Sequence, residues 1–301
     1  MKLSARSLNK SHRVLLFGPP KSGKTFLAGK LATEFDLLWF DLENGIDSLF
    51  QLPEVQQARI EVISLPDTRD YPIAIETCLK IVKGGPIDIC EAHGKVTCMV
   101  CRKDSAPTVH VHTSALPLTT VVVFDSLTQL TNSAIAFITK HQPDDYKLEY
   151  DDWAKLGKLM DTFLSSIQQA GYHVICISHE TEVEMEDGKQ KLVPTAGTRN
   201  FSRNTAKYFD EVIYCEVKNK QHVAASSTLY NGSILTGSRS GSKLELQQNA
   251  SLIPIFKGDS TALTESKHVS SIVNQDTPAH NALSALERMR ARMELSRQTK
   301  G

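Results

Sequence analysis

The sequence has no surplus of either charge: 34 Lys and Arg balance 34 Asp and Glu in 301 residues. No whole-molecule field draws the chain onto nucleic acid or an anionic membrane, so any such contact must come from a local basic patch. It also lacks an apolar run near the ~20 residues that a membrane-spanning helix needs, so no membrane association is expected. Met1 to Arg13 is basic and polar with no apolar signal core behind it, which argues against export. A disulfide framework is missing as well. Of six cysteines, Cys90, Cys98 and Cys101 crowd together, while Cys78, Cys176 and Cys215 fall in apolar stretches. That distribution fits a reducing cytoplasm and one metal site. There is no internal repeat.

What is present is ordinary globular composition, 41% hydrophobic and 23% charged, arranged in alternating patterns. Val14–Phe17, Leu37–Asp41, Ile60–Ile63, Thr119–Phe124, His173–Ser178 and Glu211–Val217 read as short, buried strands. Helices are expected from Lys24, over Ile73–Val82, and over Trp153–Ile167, where apolar residues recur at helical spacing. Strands alternating with helices predict an α/β fold, a mostly parallel central sheet flanked by helices on both faces. The predicted organisation is a core over 1–249, carrying an irregular Cys- and His-rich insertion at 86–118, followed by a tail over 250–301. That tail ends in a helix, Ala279–Gln298, bearing Arg288, Arg290, Arg292 and Arg297.

Gly18-Pro19-Pro20-Lys21-Ser22-Gly23-Lys24-Thr25 matches the phosphate-binding pattern G-x-x-x-x-G-K-[ST] between a predicted strand and a predicted helix. Glycines let successive backbone N–H groups turn inward around phosphates, and the helix N-terminus, with Phe26 in its first turn, adds the positive end of its dipole. Lys24 is expected on the β- and γ-phosphates, and the Thr25 hydroxyl on Mg²⁺. Asp125 ends the strand Val121–Phe124, the place for a second Mg²⁺-facing oxygen. Asp41-Leu42-Glu43 follows the second strand. One of these acids can take the proton of an attacking water, or both can simply cap the next helix. Glu43 is the preferred base, with Asp41 behind it.

In this order, Trp39–Gly45, Val123–Leu127 and Ile177-Ser178-His179-Glu180 resemble the core of RecA-like P-loop ATPases. More closely, residues 12–245 are similar to the phage-type RecA-like, AAA-domain ATPases that include single-strand annealing recombinases. The resemblance implies ATP as the nucleotide, Glu43 as the catalytic glutamate and Lys24 as a catalytic cation. It also places His179 where relatives carry a polar γ-phosphate sensor. It implies a DNA-dependent ATPase acting on single-stranded DNA in recombination or annealing, as a homo-oligomer, with a single-strand-binding protein as a candidate further partner. The compartment is then the cytoplasm, the host's if the gene is phage-borne. A DNA-translocating or helicase-loading motor and a non-hydrolysing, ATP-switched binding module are the alternatives.

Three features stand outside the nucleotide motifs. Cys90, His93, Cys98 and Cys101 offer three thiolates and an imidazole in two close pairs, a set able to close a tetrahedron around Zn²⁺; His110 and His112 are substitute ligands. Glu180 to Lys207 reads as a long polar loop, acidic first and basic later (Lys189, Lys191, Arg199, Arg203, Lys207). It is either a strand-tracking DNA loop, with Phe201 to stack a base, or a solvated loop of mixed charge. Arg239, in a Gly/Ser-rich turn, is expected either at a nucleotide, including one across a subunit interface, or simply on the surface.

Overall fold

The structure, a computed structural model, describes residues 10–257 apart from 69–70, 104–105, 144, 186, 227–230 and 240–246. The expected arginine-bearing helix at 279–298 lies outside the described residues.

The chain begins with β1 (Arg13–Gly18), the phosphate-loop turn and α1 (Lys24–Gly29). It continues through β2 (Asp36–Asp41), α2 (Glu54–Gln57), β3 (Ile60–Ser64) and α3 (Ile73–Ile81). The insertion follows as β4 (Ile87–Cys90), α4 (Met99–Lys103) and β5 (Thr108–Val111). The core resumes with β6 (Thr120–Asp125), α5 (Leu127–Thr139), α6 (Tyr150–Gln169) and β7 (His173–Glu184). Then come β8 (Gln190–Pro194), α7 (Arg199–Asn204), β9 (Glu211–Lys218) and β10 (Gln221–Ala225). The last described elements are β11 (Gly237–Ser238), β12 (Gln247–Gln248) and α8 (Ile253–Lys257).

The sheet runs β12-β10-β9-β1-β7-β6-β2-β3. From β9 to β3 every neighbouring pair is parallel, as expected from strands apolar on both faces. All six parallel strands therefore end along one edge, where ligands of such sheets bind. One face packs under α3, α5 and α6. There Leu156, Met160, Phe163, Leu164 and Ile167 of α6 are all buried against Phe40 and Phe124 of the sheet. Their spacing keeps them on one stripe, and each apolar side chain so buried contributes ~1.5–3 kcal/mol before chain entropy is subtracted. The start of α6 is fixed by a reciprocal cap between Glu149 and Asp152. No helix among the described residues is long and apolar enough to cross a membrane.

The other face is covered by α1, the 3₁₀ turn Ile46–Gln51 and α8. Ala250, Leu252, Ile255 and Phe256 are buried there, and Phe256 meets Phe35 and His173 edge-on at 5.9 and 5.1 Å. Residues 250–257 thus pack on the sheet, although the sequence assigns them to the tail. The first compact unit spans Met1–Thr264; the remainder, Glu265–Gly301, is outside the described residues.

The long polar loop expected over 180–207 is instead built. β7 runs on to Glu184 and turns into β8, pairing Glu180 with Pro194 through Glu184 with Gln190; α7 follows. Val183 and Val193 are buried within the hairpin and Ala196 just after it. Val183 lies between the exposed Glu182 and Glu184, so this part of the segment looks polar although it is packed.

Candidate functional site

The glycines of the phosphate loop are dictated by contact. Gly18 has φ +149°, and a Cβ there would lie 2.0 Å from the Cys215 carbonyl oxygen on the neighbouring strand. Gly23 has φ +87° and Lys21 +62°, so the chain reverses in two steps before α1 starts. Pro20 through Phe26 line a cavity of about 650 Å³ at the carboxyl edge of the sheet. Lys24 is folded back on its own loop, donating to the carbonyls of Gly18 (3.0 Å) and Pro19 (2.8 Å) and to Ser22 Oγ (3.3 Å). Burial lowers the pKa of Lys24, opposed by the charges around Asp125 and Glu43.

Parallel register delivers the acids. Asp41 of β2 lies opposite Asp125 of β6, which lies opposite Ile177 of β7. Thr25 Oγ1 donates to Asp125 Oδ2 at 2.9 Å. Burial, and then the Glu43 charge, push the Asp125 carboxyl up to about 7, against the Thr25 hydrogen bond. A hydroxyl and a carboxylate oxygen so close form a hard-oxygen pair, the donor type Mg²⁺ prefers.

Asp41 does not face the cavity. Its Oδ1 accepts the backbone N–H groups of Glu43 and Gly45, both at 3.2 Å, which fixes the turn that presents Glu43. Glu43 is held from two sides: Ser126 Oγ donates to its Oε1, and His179 Nε2 lies 3.4 Å from its Oε2. Burial alone pushes the Glu43 pKa up, but hydrogen bonds from His179 and Ser126 and the Lys24 charge bring it below the usual value. His179 ends the parallel part of β7, its backbone N–H donating to Thr128 Oγ1 at 2.9 Å. Lys24, Thr25, Glu43, Asp125 and His179 all line the one cavity.

Several cavity residues carry no motif. Lys30 comes from beyond α1, and Ser48 and Gln51 from the 3₁₀ turn. Lys220 and His222 come from the β9–β10 hairpin, and Gln248 and Asn249 from the end of β12, which pairs with β10. The one local signal is Lys218-Asn219-Lys220-Gln221, an Asn-containing turn with φ +52° and +64° at its centre.

Arg239 is not in this cavity. Its backbone N–H donates to the Asp210 carbonyl at 2.8 Å, its guanidinium reaches the Lys207 carbonyl, and Asp210 Oδ1 is 3.9 Å away. The same buried carboxylate holds Lys10 and Arg13. That cluster sits at the amino ends of β1 and β9, opposite the phosphate loop. Arg239 therefore does not reach the nucleotide cavity of its own chain.

In the insertion, the ligand atoms of Cys90, His93, Cys98 and Cys101 all lie within 4.8 Å of one another. His93 Nδ1 is 3.2 Å from Cys101 Sγ and 3.7 Å from Cys98 Sγ. A tetrahedral zinc shell has ligand–ligand edges of roughly 3.5–3.8 Å, so the set fits with little movement. Tight turns bring it together: Gly94 N–H donates to Cys90 O at 2.9 Å and Cys90 N–H to Lys95 O at 3.0 Å. His110 is not part of it; its Nδ1 pairs with Asp88 at 2.9 Å on the exposed hairpin.

Sheet order, phosphate loop and strand-end acids together define a P-loop NTPase. The sequence profile of the AAA domain family matches residues 10–243, and the chain belongs to that family. None of the curated proteins compared with the chain matches it. Among solved structures, an ATPase from the type III secretion system of pathogenic bacteria is similar, at 14% identity and a TM-score of 0.40. The match covers 68% of this chain and 52% of that one, so the chain spans about half the length of that ATPase.

Proposed function

We propose that the protein is a DNA-dependent ATPase that works on single-stranded DNA in annealing or recombination, assembled as a homo-oligomer. The observation that carries the hydrolytic part is the Glu43 carboxylate, held between Ser126 and His179 in the cavity that also presents Lys24 and Asp125. Mg²⁺, held by Thr25 and Asp125, would neutralise charge on the phosphates. Lys24 exchanges the Gly18 and Pro19 carbonyls for phosphate oxygens. Glu43, kept ionised by its partners, would take the proton of the attacking water as its oxygen bonds to the γ-phosphorus and the bond from that phosphorus to the β-γ bridging oxygen breaks, releasing ADP.

The DNA part is supported by continuity. β7 carries His179 at the cavity and continues without a break into the β7–β8 hairpin, whose Lys189 and the following Arg199 are exposed. A contact on the hairpin can thereby move the residue beside Glu43. In the insertion, Zn²⁺ on Cys90, His93, Cys98 and Cys101 would serve a structural purpose, all four positions being filled by protein.

Turnover of ATP by the full chain, measured with and without single-stranded DNA, tests the reading. Mg²⁺-dependent hydrolysis that rises several-fold with DNA is expected. A rate indifferent to DNA would end the DNA-dependent assignment, and no hydrolysis at all would favour an ATP-switched binding module.

A further inference from the structure

A second cavity, about 230 Å³ in volume, lies between α3 and the Cys-rich insertion and is lined by a different set of residues from the nucleotide cavity. α3 supplies Glu76, Thr77 and Lys80, and the insertion supplies Lys95 through Val100. The two sides are fastened together where Thr77 Oγ1 donates to the Gly94 carbonyl at 2.8 Å. The volume falls below the roughly 300–1,000 Å³ of small-molecule sites, so it suits a side chain or two of a bound segment rather than a whole cofactor.

The apolar rim follows from the placement of the cysteines. Cys98 and Cys101 are both buried and lie one helical turn apart, with the Arg102 N–H on the Cys98 carbonyl at 3.0 Å. The two residues between them must then face outward, and Met99 and Val100 are accordingly 66% and 61% exposed. Lys95 Nζ lies 3.7 Å from the centroid of the Tyr71 ring, a cation–π contact that fixes the ammonium at the pocket. Glu76, also on the lining, is already answered: the Tyr71 hydroxyl donates to it, and Lys140 Nζ is 3.7 Å from its Oε1. Thr97 has φ +58°, a left-handed backbone that a β-branched residue adopts only when its surroundings hold it there. Strain of this kind gathers at ligand clamps.

We propose that this pocket docks an acidic segment of a partner protein, with carboxylates on Lys80 and Lys95 and an aliphatic side chain against Met99 and Val100. Charge complementarity selects the occupant. The acid on the lining is satisfied from within the chain, so a carboxylate brought by the guest meets the two lysines. The rim decides between an acidic peptide and single-stranded DNA. A DNA strand holds such sites by stacking its bases on aromatic faces, and the Tyr71 ring already bears the Lys95 ammonium on one face. Met99 and Val100 are aliphatic and pack on side chains instead.

The test is fluorescence anisotropy of a short labelled peptide of alternating aspartate and leucine, titrated with the full chain. Binding that weakens with salt is expected. Replacing the aspartates by asparagine, or the leucines by serine, should each weaken it about tenfold or more. The pair Lys80→Gln and Lys95→Gln, and separately the pair Met99→Ser and Val100→Ser, should do the same. Lys95→Arg keeps both charge and ring contact and should bind within about twofold of the unaltered chain. Equal binding of a fluorescent ATP analogue by every variant checks that the core is folded; where a variant fails that check, the peptide series on the unaltered chain decides. No binding of the alternating peptide overturns the pocket, as does an affinity unchanged in both pairs of variants. An oligo-dT strand that displaces the peptide, and whose own binding is lost in the same variants, makes it a nucleic-acid site instead. A change of oligomeric state in the Met99→Ser and Val100→Ser pair assigns the rim to a second copy of the chain and equally overturns the proposal.

Discussion

Ser126 donates its hydroxyl hydrogen to the carboxylate of Glu43, a residue 83 positions earlier in the chain. The contact exists because β2 and β6 are parallel neighbours with Asp41 opposite Asp125, so the chain one or two residues past each strand meets at the same edge. Ser126 also accepts the Gln129 N–H as the cap of α5, which ties the acid to a helix rather than to a loose loop. Three consecutive strands, β2, β6 and β7, thus supply Glu43, Ser126 and His179.

Removing the acid and removing its holder should therefore differ. Glu43→Gln keeps the shape and the Ser126 contact but loses the base, and is expected to bind ATP normally with hydrolysis reduced by about 10²-fold or more. Ser126→Ala leaves the base but frees its orientation. A loss of roughly tenfold in kcat, with ATP binding little changed, is expected. Nucleotide binding and single-turnover hydrolysis measured on both variants check the pair; equal and total losses in both would contradict a holding role for Ser126.

Gly18 makes a sharper packing prediction. Its missing Cβ would overlap the Cys215 carbonyl at 2.0 Å, and that carbonyl belongs to β9, which is hydrogen-bonded to β1 and cannot retreat. Gly18→Ala is expected to cost at least ~2 kcal/mol in a denaturant melt and to impair nucleotide binding. Gly85→Ala, where nothing lies within 4 Å of the added atom, should change stability by no more than about 0.5 kcal/mol.

What could be read in the sequence follows from how each signal is carried. The parallel strands are continuous apolar runs, so β1, β2, β6, β7 and β9 announce themselves, and an acid or histidine directly after such a run lands on the functional edge. Glu43, Asp125 and His179 are legible for that reason. The β7–β8 hairpin is not, because its buried residues are few and set among polar ones, as Val183 is between the exposed Glu182 and Glu184. Arg239 is hard to place for a related reason: a Gly/Ser turn says nothing about which edge of the sheet it serves, and Asp210 holds it at the amino edge. Lys30, Gln51, His222 and Asn249 reach the cavity from four separate segments, and long-range juxtaposition leaves no local pattern.

The Cys90, His93, Cys98 and Cys101 cluster, read as a zinc site, predicts a stability effect separable from nucleotide binding. The knuckle is fastened to the core where Thr77 Oγ1 donates to the Gly94 carbonyl at 2.8 Å and where Gly94 packs on Ser64 and Leu65. None of these residues lines the nucleotide cavity. One zinc per chain is expected by elemental analysis. Cys101→Ser, or a strong chelator, should lower Tm by roughly 5–10 °C, the shift that a few kcal/mol produces in a domain of this size. ATP affinity should stay within about twofold below the melt. Zinc-free protein of unchanged Tm would remove the metal from the account.

His173 sets an acid limit on the fold. It begins β7, its Nδ1 accepts the His12 backbone N–H at 3.0 Å, and its ring stacks on His12 and meets Phe35 and Phe256. Burial, with the charges of His12 and Arg13, depresses its pKa from 6.5 to about 4. A histidine kept neutral in the folded state contributes its full stability above the unfolded value of 6.5. As pH falls from about 6.5 toward 4, the unfolded chain takes up the proton first and that contribution drains away. Tm measured across this window should fall for the unaltered protein beyond what its carboxylates produce. His173→Gln offers a neutral acceptor that does not titrate, so it should start lower but lose Tm less steeply between pH 6.5 and 4. Parallel slopes for the two proteins would show that the proton goes elsewhere.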